Sequence, residues 1–403
     1  MTLFTSVCES TPQLVYTPYA FATPGALPGD SASAYPGTQT AVPLHNPAGV
    51  AVDTNGNVYV ADTFNGALRK LAPSGTTWVM TTIASGFNAP YGVAVDNSNN
   101  IYLADTLAGA IRKFTPSNTD NTNWVETTLA SGLADPTCVA VDTNGNVYVG
   151  ELSSVIGKVT PSGGVSVLAG LANNPGTNDG AGNLARFNSP YGVALDRAGN
   201  VYVADSGNDT IRKVTPAGVV STLAGLARVA GFTDGTNNVA QFSTPYGVAV
   251  DGATNVFVAD SDNNSIRRAT RSGTNWVVTT IGGLFDQTGF NDGVGIHARF
   301  RNPDGVAADA KGVVYVADTQ NSAIRKGTLV VDVPVIIASS VAFSNSHLGF
   351  NLTGTQGTQV VVQVSSNLVN WLPVWTNMFG AGPLPFGDPQ GVSPKRFYRA
   401  VTP

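Results

Sequence analysis

The chain has 403 residues, of which 42% are hydrophobic and only 12% charged, and its net charge is −5. The charged share is about half the ordinary one; Gly (45), Pro (24), Asn and Thr take its place, a mixture that favours strands and tight turns over helices. The acidic total argues against a protein built to grip a nucleic-acid backbone, and no segment approaches the ~18–20 apolar residues of a membrane span.

In chain order, residues 1–15 read as an irregular segment. The opening MTLFTSVCES has neither the basic stretch nor the apolar run of a signal peptide. The low Lys and Glu content with abundant Asn, Thr and Gly nevertheless leans toward an extracytoplasmic or secreted protein. Cys8 and Cys138 form no disulfide framework and are expected as free thiols.

From Asn46 onward the sequence repeats itself. Units begin at Asn46, Ala89, Asp135, Ser189, Thr244 and Asn302, and the fourth reads SPYGVALDRAGNVYVADSGNDTIRKVTPAG. The acid that closes the first apolar run recurs at Asp53, Asp96, Asp142, Asp196, Asp251 and Asp309, at spacings of 43, 46, 54, 55 and 58 residues. A drifting period on a constant core means loops of different length. Within each unit, GVAVD is a buried strand and D-x-x-G-N a hairpin turn whose Asn and Gly accept positive φ. NVYVAD is a second strand, A-I-R-K-V-T a third, and a segment such as VSTLAG a fourth. Four antiparallel strands per repeat describe a propeller blade. No 3.6-residue periodicity supports a helical solenoid.

The elements P-x-G-V-A-V-D, G-N-V-Y-V-A-D and N-x-x-I-R-K resemble the NHL-repeat family, over about residues 46–330 and six times. The resemblance implies an all-β, six-bladed β-propeller across residues 16–330. The sixth unit lacks an outer strand after Ala323–Gly327, and residues 16–23 (YTPYAFAT) are expected to supply it, pairing the first segment with the last and removing an exposed edge. Residues 335–403 lie beyond the repeats and read as a small β-module. Its Val360–Trp371, Phe386–Asp388 and Arg396–Arg399 segments resemble C-terminal modules on large secreted proteins of environmental bacteria, with Trp371 and Trp375 expected in its core.

The fold leaves function open, because NHL propellers serve as enzymes, RNA binders and scaffolds. Some NHL-like propellers are lyases with histidine-bound zinc, but His45, His297 and His347 are scattered between two loops and the C-terminal module and do not make a three-ligand zinc site. Lactonase-like propellers hold a central calcium with carboxylate and Asn ligands; here the acids recur alike in each unit, as structural residues do. No G-x-S-x-G is present.

The acid ending the second strand and the arginine of the third are seven apart in five units: Asp62 and Arg69, Asp105 and Arg112, Asp205 and Arg212, Asp260 and Arg267, Asp318 and Arg325. The third unit changes both, to Glu151 and Gly157, so the pair is expected to be a salt bridge. Such pairing would occupy arginines that RNA would otherwise need; eleven of the 21 Lys and Arg sit in these steps. The Asp-Gly loops at Asn178–Ala181, Thr233–Thr236 and Asn291–Val294 read as turns, with calcium the alternative.

The residue after the repeated proline varies: Ala48, Tyr91, Thr137, Tyr191, Tyr246 and Asp304. It opens the inner strand at the channel mouth. Tyr91, Tyr191, Tyr246 and Asp304, with the unpaired Glu151 nearby, are therefore the candidate binding residues; plain filling of the channel by the tyrosines is the competing reading. The expected function is non-enzymatic binding or scaffolding by a monomer. It would recognise a protein, peptide or carbohydrate, without cofactor or resident metal, and without a nucleic-acid partner. The alternative is a lyase- or lactonase-like enzyme with its site in the same mouth.

Overall fold

A computed structural model describes residues 19–22, 42–75, 77–117, 123–329, 335–344, 347–353, 359–366, 370–380, 382–388 and 397–401. The irregular segment 1–15 with Cys8, residues 16–18 and 23 of the expected closing strand, and Arg396 lie outside the described residues. The fold is all-β; among the described residues the only helical segments are single 3-10 turns, and none is long and apolar enough to cross a membrane. The chain divides into two compact units, residues 20–328 and a second that includes 329–403.

Among the described residues the first unit contains six antiparallel sheets. The sheet of the first repeat is typical: Pro47–Val52 (inner), Val58–Asp62, Ala67–Ser74 and Thr77–Ser85 (outer) lie side by side. The turn between the inner and second strands is held by its own acid. Asp53 Oδ1 accepts the N–H groups of Asn55 and Asn57 at 2.9 Å, and Gly56 takes φ +81°, a conformation open to glycine at little steric penalty. The second strands, VYVAD and its variants, are buried along their whole length in every sheet. They run between two strands of their own sheet and pack against neighbouring sheets, hence apolar residues on both faces.

The inner strands meet in a closed cycle. An ideal Cβ on Gly49 would stand 2.2 Å from the Tyr91 carbonyl oxygen, on Gly247 2.3 Å from that of Asp304, and on Gly305 2.2 Å from that of Ala48. These glycines are required by close approach of the neighbouring backbone, and the last contact joins the sixth repeat to the first. Thr319 adds a hydrogen bond from its hydroxyl to the Pro47 carbonyl, 2.8 Å. In the sixth sheet the strand Tyr19–Ala22 lies between Ala323–Leu329 and the short strand Gly293–Val294, with Ala20 opposite Val294.

All five acid–arginine pairs read from the spacing are formed, at 2.8 Å (Asp62), 2.9 Å (Asp105), 2.8 Å (Asp205), 2.6 Å (Asp260) and 3.0 Å (Asp318). The reason is register: Val60 pairs with Arg69 and Asp62 with Ala67, so the two side chains emerge on adjacent strands at one end of the sheet. The Asp-Gly loops join the same network. Asp179, Asp234 and Asp292 each meet the second Nη of Arg212, Arg267 and Arg325 at 2.7 Å. Asp179 also accepts the Thr222 N–H and hydroxyl, and Asp234 those of Thr280. The carboxylates considered for calcium are thus the second half of an acid–Arg–acid bridge. Burial pushes the Asp260 and Asp318 carboxyls up to about 6, against the donors that surround them.

The third sheet shows what happens without the arginine. Glu151 reaches further than an aspartate and accepts the Ala134 N–H at 2.9 Å, and an ideal Cβ on Gly157 would lie 3.1 Å from its Oε1. The extra methylene occupies space that the arginine position has given up.

Among the described residues the second unit holds two three-stranded sheets: Val335–Ser344, His347–Thr353 and Leu384–Gly387; and Leu372–Met378, Gln359–Ser365 and Phe397–Val401. Leu348, Phe350, Val362, Phe386 and Tyr398 are in its core, Trp375 packs against them, and Trp371 is buried under the Arg399 guanidinium.

Arg267 is fully buried and Arg112 is 27% exposed. Arg267→Ala should therefore lower the unfolding free energy by about 3–5 kcal/mol, because it strands a buried carboxylate, and Arg112→Ala by less, about 1–3 kcal/mol, because Asp105 is also buried but water reaches it where Arg112 is exposed; urea denaturation of the two variants measures the difference. Gly157→Ala should destabilise by about 1 kcal/mol, and by less in a Glu151→Asp background, where the crowding oxygen is withdrawn; a double-mutant cycle reads the coupling.

Candidate functional site

Antiparallel pairing sets the start of each inner strand beside the end of its second strand: Pro90 opposite Asp105, Pro190 opposite Asp205, Pro303 opposite Asp318. One end of the channel therefore gathers the residues after the prolines and the loops that follow the second strands. Ala48, Tyr91, Thr137, Tyr191, Tyr246 and Asp304 all line one central cavity of about 70 Å³. A wider compartment of about 180 Å³ adjoins it, sharing Ala48, Tyr91, Tyr246 and Asp304 and bounded by Thr63, Phe64, Ser261, Asp262, Thr319 and Gln320.

The tyrosines form a continuous aromatic wall. The ring centroids of Tyr191 and Tyr246 are 4.3 Å apart at 37°, and those of Tyr91 and Tyr191 6.4 Å apart at 57°. Burial, then nearby Asp304 and Tyr191, raises the phenol pKa of Tyr91; burial first, then the same two neighbours, does so for Tyr246, so both stay neutral hydroxyls near pH 7. Asp304 accepts the Ser261 hydroxyl at Oδ1, 3.0 Å. Burial pushes its carboxyl up to about 7, with the Asp262 charge adding to the rise and the Ser261 and Thr319 hydroxyls opposing it.

The Ser261 bond is a departure from the frame. The hydroxyl after the second-strand acid donates to the next proline carbonyl from Thr63, Thr106, Ser206 and Thr319. The third repeat has Leu152 there, and Thr137 donates to the Pro190 carbonyl instead, 2.8 Å. Thr137 thus has a joint-holding role, while Ser261 serves the carboxylate of Asp304.

Of the candidate residues, Tyr91, Tyr191, Tyr246 and Asp304 share the cavity. Glu151 does not line it; its carboxylate is turned to the Ala134 N–H in the bridge position described above. Cys138 replaces the inner-strand glycine of the third repeat and lines the cavity as a buried free thiol. Burial pushes its pKa up to about 12, so it is no nucleophile at neutral pH. Sequence reasoning passed over Ser261 and Asp262; the signal was the Ser or Thr that follows the acid in every repeat but the third. Among the described residues no cluster of three metal-ligating side chains occurs.

The Asp304 carboxyl should titrate near pH 7, and Ser261→Ala should move that titration upward, since it removes a donor to the ionised form; carboxyl ¹³C NMR of the labelled protein follows both.

Residues 44–71, 187–214 and 300–326 match the model of the NHL repeat. The chain is 31% identical over 170 residues to human NHL repeat-containing protein 2, covering 39% of this chain and 23% of that protein. It spans between 12% and 25% of the length of the curated relatives it matches. Among solved structures it resembles a protein of unknown function from Bacteroides thetaiotaomicron (TM-score 0.63, 21% identity, 77% and 76% of the two chains covered). It also resembles an auxiliary nutrient binding protein from Bacteroides ovatus (TM-score 0.60, 17% identity, 77% of each chain covered). At such identities the structural likeness speaks for the fold alone; the repeat match adds that this all-β, propeller-like chain contains NHL repeats.

Proposed function

We propose that this protein is a non-enzymatic, monomeric, six-bladed binding propeller of residues 16–330 with an accessory β-module at 335–403, and that it recognises a protein, peptide or carbohydrate at the mouth lined by Tyr91, Tyr191, Tyr246 and Asp304. One observation carries the reading: the four bulky or charged residues that interrupt an otherwise repeated frame meet in a single cavity. Drug-sized ligands fill roughly 300–1,000 Å³, more than the 180 Å³ of the mouth. A ligand would therefore enter by its tip, as a side chain, chain end or single sugar ring, with the rest resting on the rim. Aromatic faces supply contact area and the acid orients a polar group. The nutrient-binding name of the Bacteroides ovatus neighbour is in keeping with a binding role and with a place outside the cytoplasm.

A second reading, an enzyme with its site in the same mouth, draws on the Asp304 carboxyl at about 7, the range of a general acid or base.

Arrays of glycans and peptides, followed by calorimetry on the hits, test the proposal. Tyr191→Ala/Tyr246→Ala should weaken binding by about 10-fold or more, a loss of roughly 1.4 kcal/mol, with the thermal midpoint little changed. Unchanged affinity returns the tyrosines to channel packing, and turnover of a hit would favour the second reading.

A further inference from the structure

The mouth has one sign of charge. Its carboxylates are Asp304 and Asp262, and no Lys, Arg or His is among the residues that line either compartment. The narrower compartment is lined by one charged side chain, Asp304, and by three tyrosines. A carboxylate attracts a cation, the negative face of a tyrosine attracts it as well, and a partly dehydrated cavity strengthens both. An anion meets repulsion there, and a neutral hydroxyl can donate a hydrogen bond to the carboxylate but lacks the attraction of a full charge to it and to the rings. The carboxylate is also held in place: Ser261 donates to its Oδ1 instead of serving the neighbouring sheet as Thr63, Thr106, Ser206 and Thr319 do. The space suits a small cationic head rather than a whole ligand.

We infer that the pocket formed by Tyr91, Tyr191, Tyr246 and Asp304 recognises an ammonium group, primary or N-methylated, at the tip of its ligand. This rests on the binding role proposed above and narrows its chemistry to amine-bearing ligands, such as a lysine side chain, a free amino terminus or an unacetylated amino sugar. The groups that face Asp304 are the Ser261 and Thr319 hydroxyls, the Asp262 carboxylate and the Tyr91 and Tyr246 rings. The two phenols keep their protons at neutral pH, because burial raises them. With the Asp304 carboxyl near 7, a permanent cation should bind better as pH rises and the proton leaves; the neutral isostere should show no such trend.

The test is a chemical-shift titration of the full chain with choline and with its neutral isostere 3,3-dimethyl-1-butanol, repeated with butylammonium and butanol. Each cation should bind about 10-fold more tightly than its neutral partner. The ratio should grow from about pH 5.5 to about pH 8, over the range in which a carboxyl near 7 loses its proton. Asp304→Asn should abolish the ratio. Equal binding of cation and isostere, or a ratio indifferent both to Asp304→Asn and to pH, would overturn the inference; the pH series on the native chain keeps the test decisive even if the variant fails to fold. If neutral glycans or peptides bind and are lost on Tyr191→Ala/Tyr246→Ala while the ammonium probes show no preference, the ammonium inference fails and the mouth stands as a binding site. If no compound perturbs the mouth, both fail.

Discussion

The carboxylate at the end of each second strand is the constraint on which this ring depends. One oxygen accepts a backbone N–H seventeen residues earlier, from His45, Asn88, Asn188, Ser243 or Arg301. The other takes the third-strand arginine and, in four sheets, the amide of an Asn three residues on: Asn65, Asn208, Asn263 or Asn321. One buried acid thereby fixes the segment that leads into the sheet, the turn that follows the second strand, and the third strand. Buried charge is tolerated because its lone pairs are filled. In the last three sheets the arginine is in turn covered by Phe187, Phe242 and Phe300, with ring centroids 5.2–5.3 Å from the guanidinium carbon, although the Nε of Arg212 and of Arg325 is buried without a hydrogen-bond partner.

The third sheet shows that this clamp changes as a unit. Glu151 keeps the backbone bond but has Gly157 where an arginine would be. Cys138 stands where the other inner strands have glycine, and Gly150 takes the place of the second-strand alanine; an ideal Cβ at Gly150 would lie 2.6 Å from the Cys138 sulfur. Leu152 lacks the hydroxyl that other repeats use to reach the next proline, and Thr137 provides one from the opposite strand. Each substitution is answered by a neighbour at contact distance, as expected of a packed joint with no spare volume.

Legibility in the sequence followed the range of the interaction. Strands, turns and the acid–arginine pairs were readable because all are set by register within one repeat: seven residues along a hairpin bring Asp205 and Arg212 to the same end of adjacent strands. The convergence of Tyr91, Tyr191, Tyr246 and Asp304 was readable because equivalent positions in a ring share a mouth. What escaped were contacts made by insertions, whose path the repeat does not dictate. Asp234 lies 33 residues from Arg267 in sequence, and its loop read as a turn or cation loop although its acid completes an ion bridge. Glu151 was misjudged for a related reason. Without an arginine it looked free, but the backbone N–H of Ala134 was available to it, and backbone donors leave no mark in a sequence.

The separation between clamp and mouth has a functional consequence. The acids and arginines hold every sheet but the third from within, while the glycine after each mouth residue but Thr137 lets the next inner strand approach to contact. The side chain just before that glycine is the one feature per repeat that can vary without disturbing either. Ala48 leaves room, Thr137 ties two strands, three tyrosines make a wall, and Asp304 places a carboxyl opposite it. Asp304 alone recruits a frame residue, Ser261, to its own service. In a ring assembled from near-identical parts, that diverted hydroxyl fixes the orientation of one acid at the mouth where its counterparts in the first, second, fourth and sixth repeats hold joints between sheets.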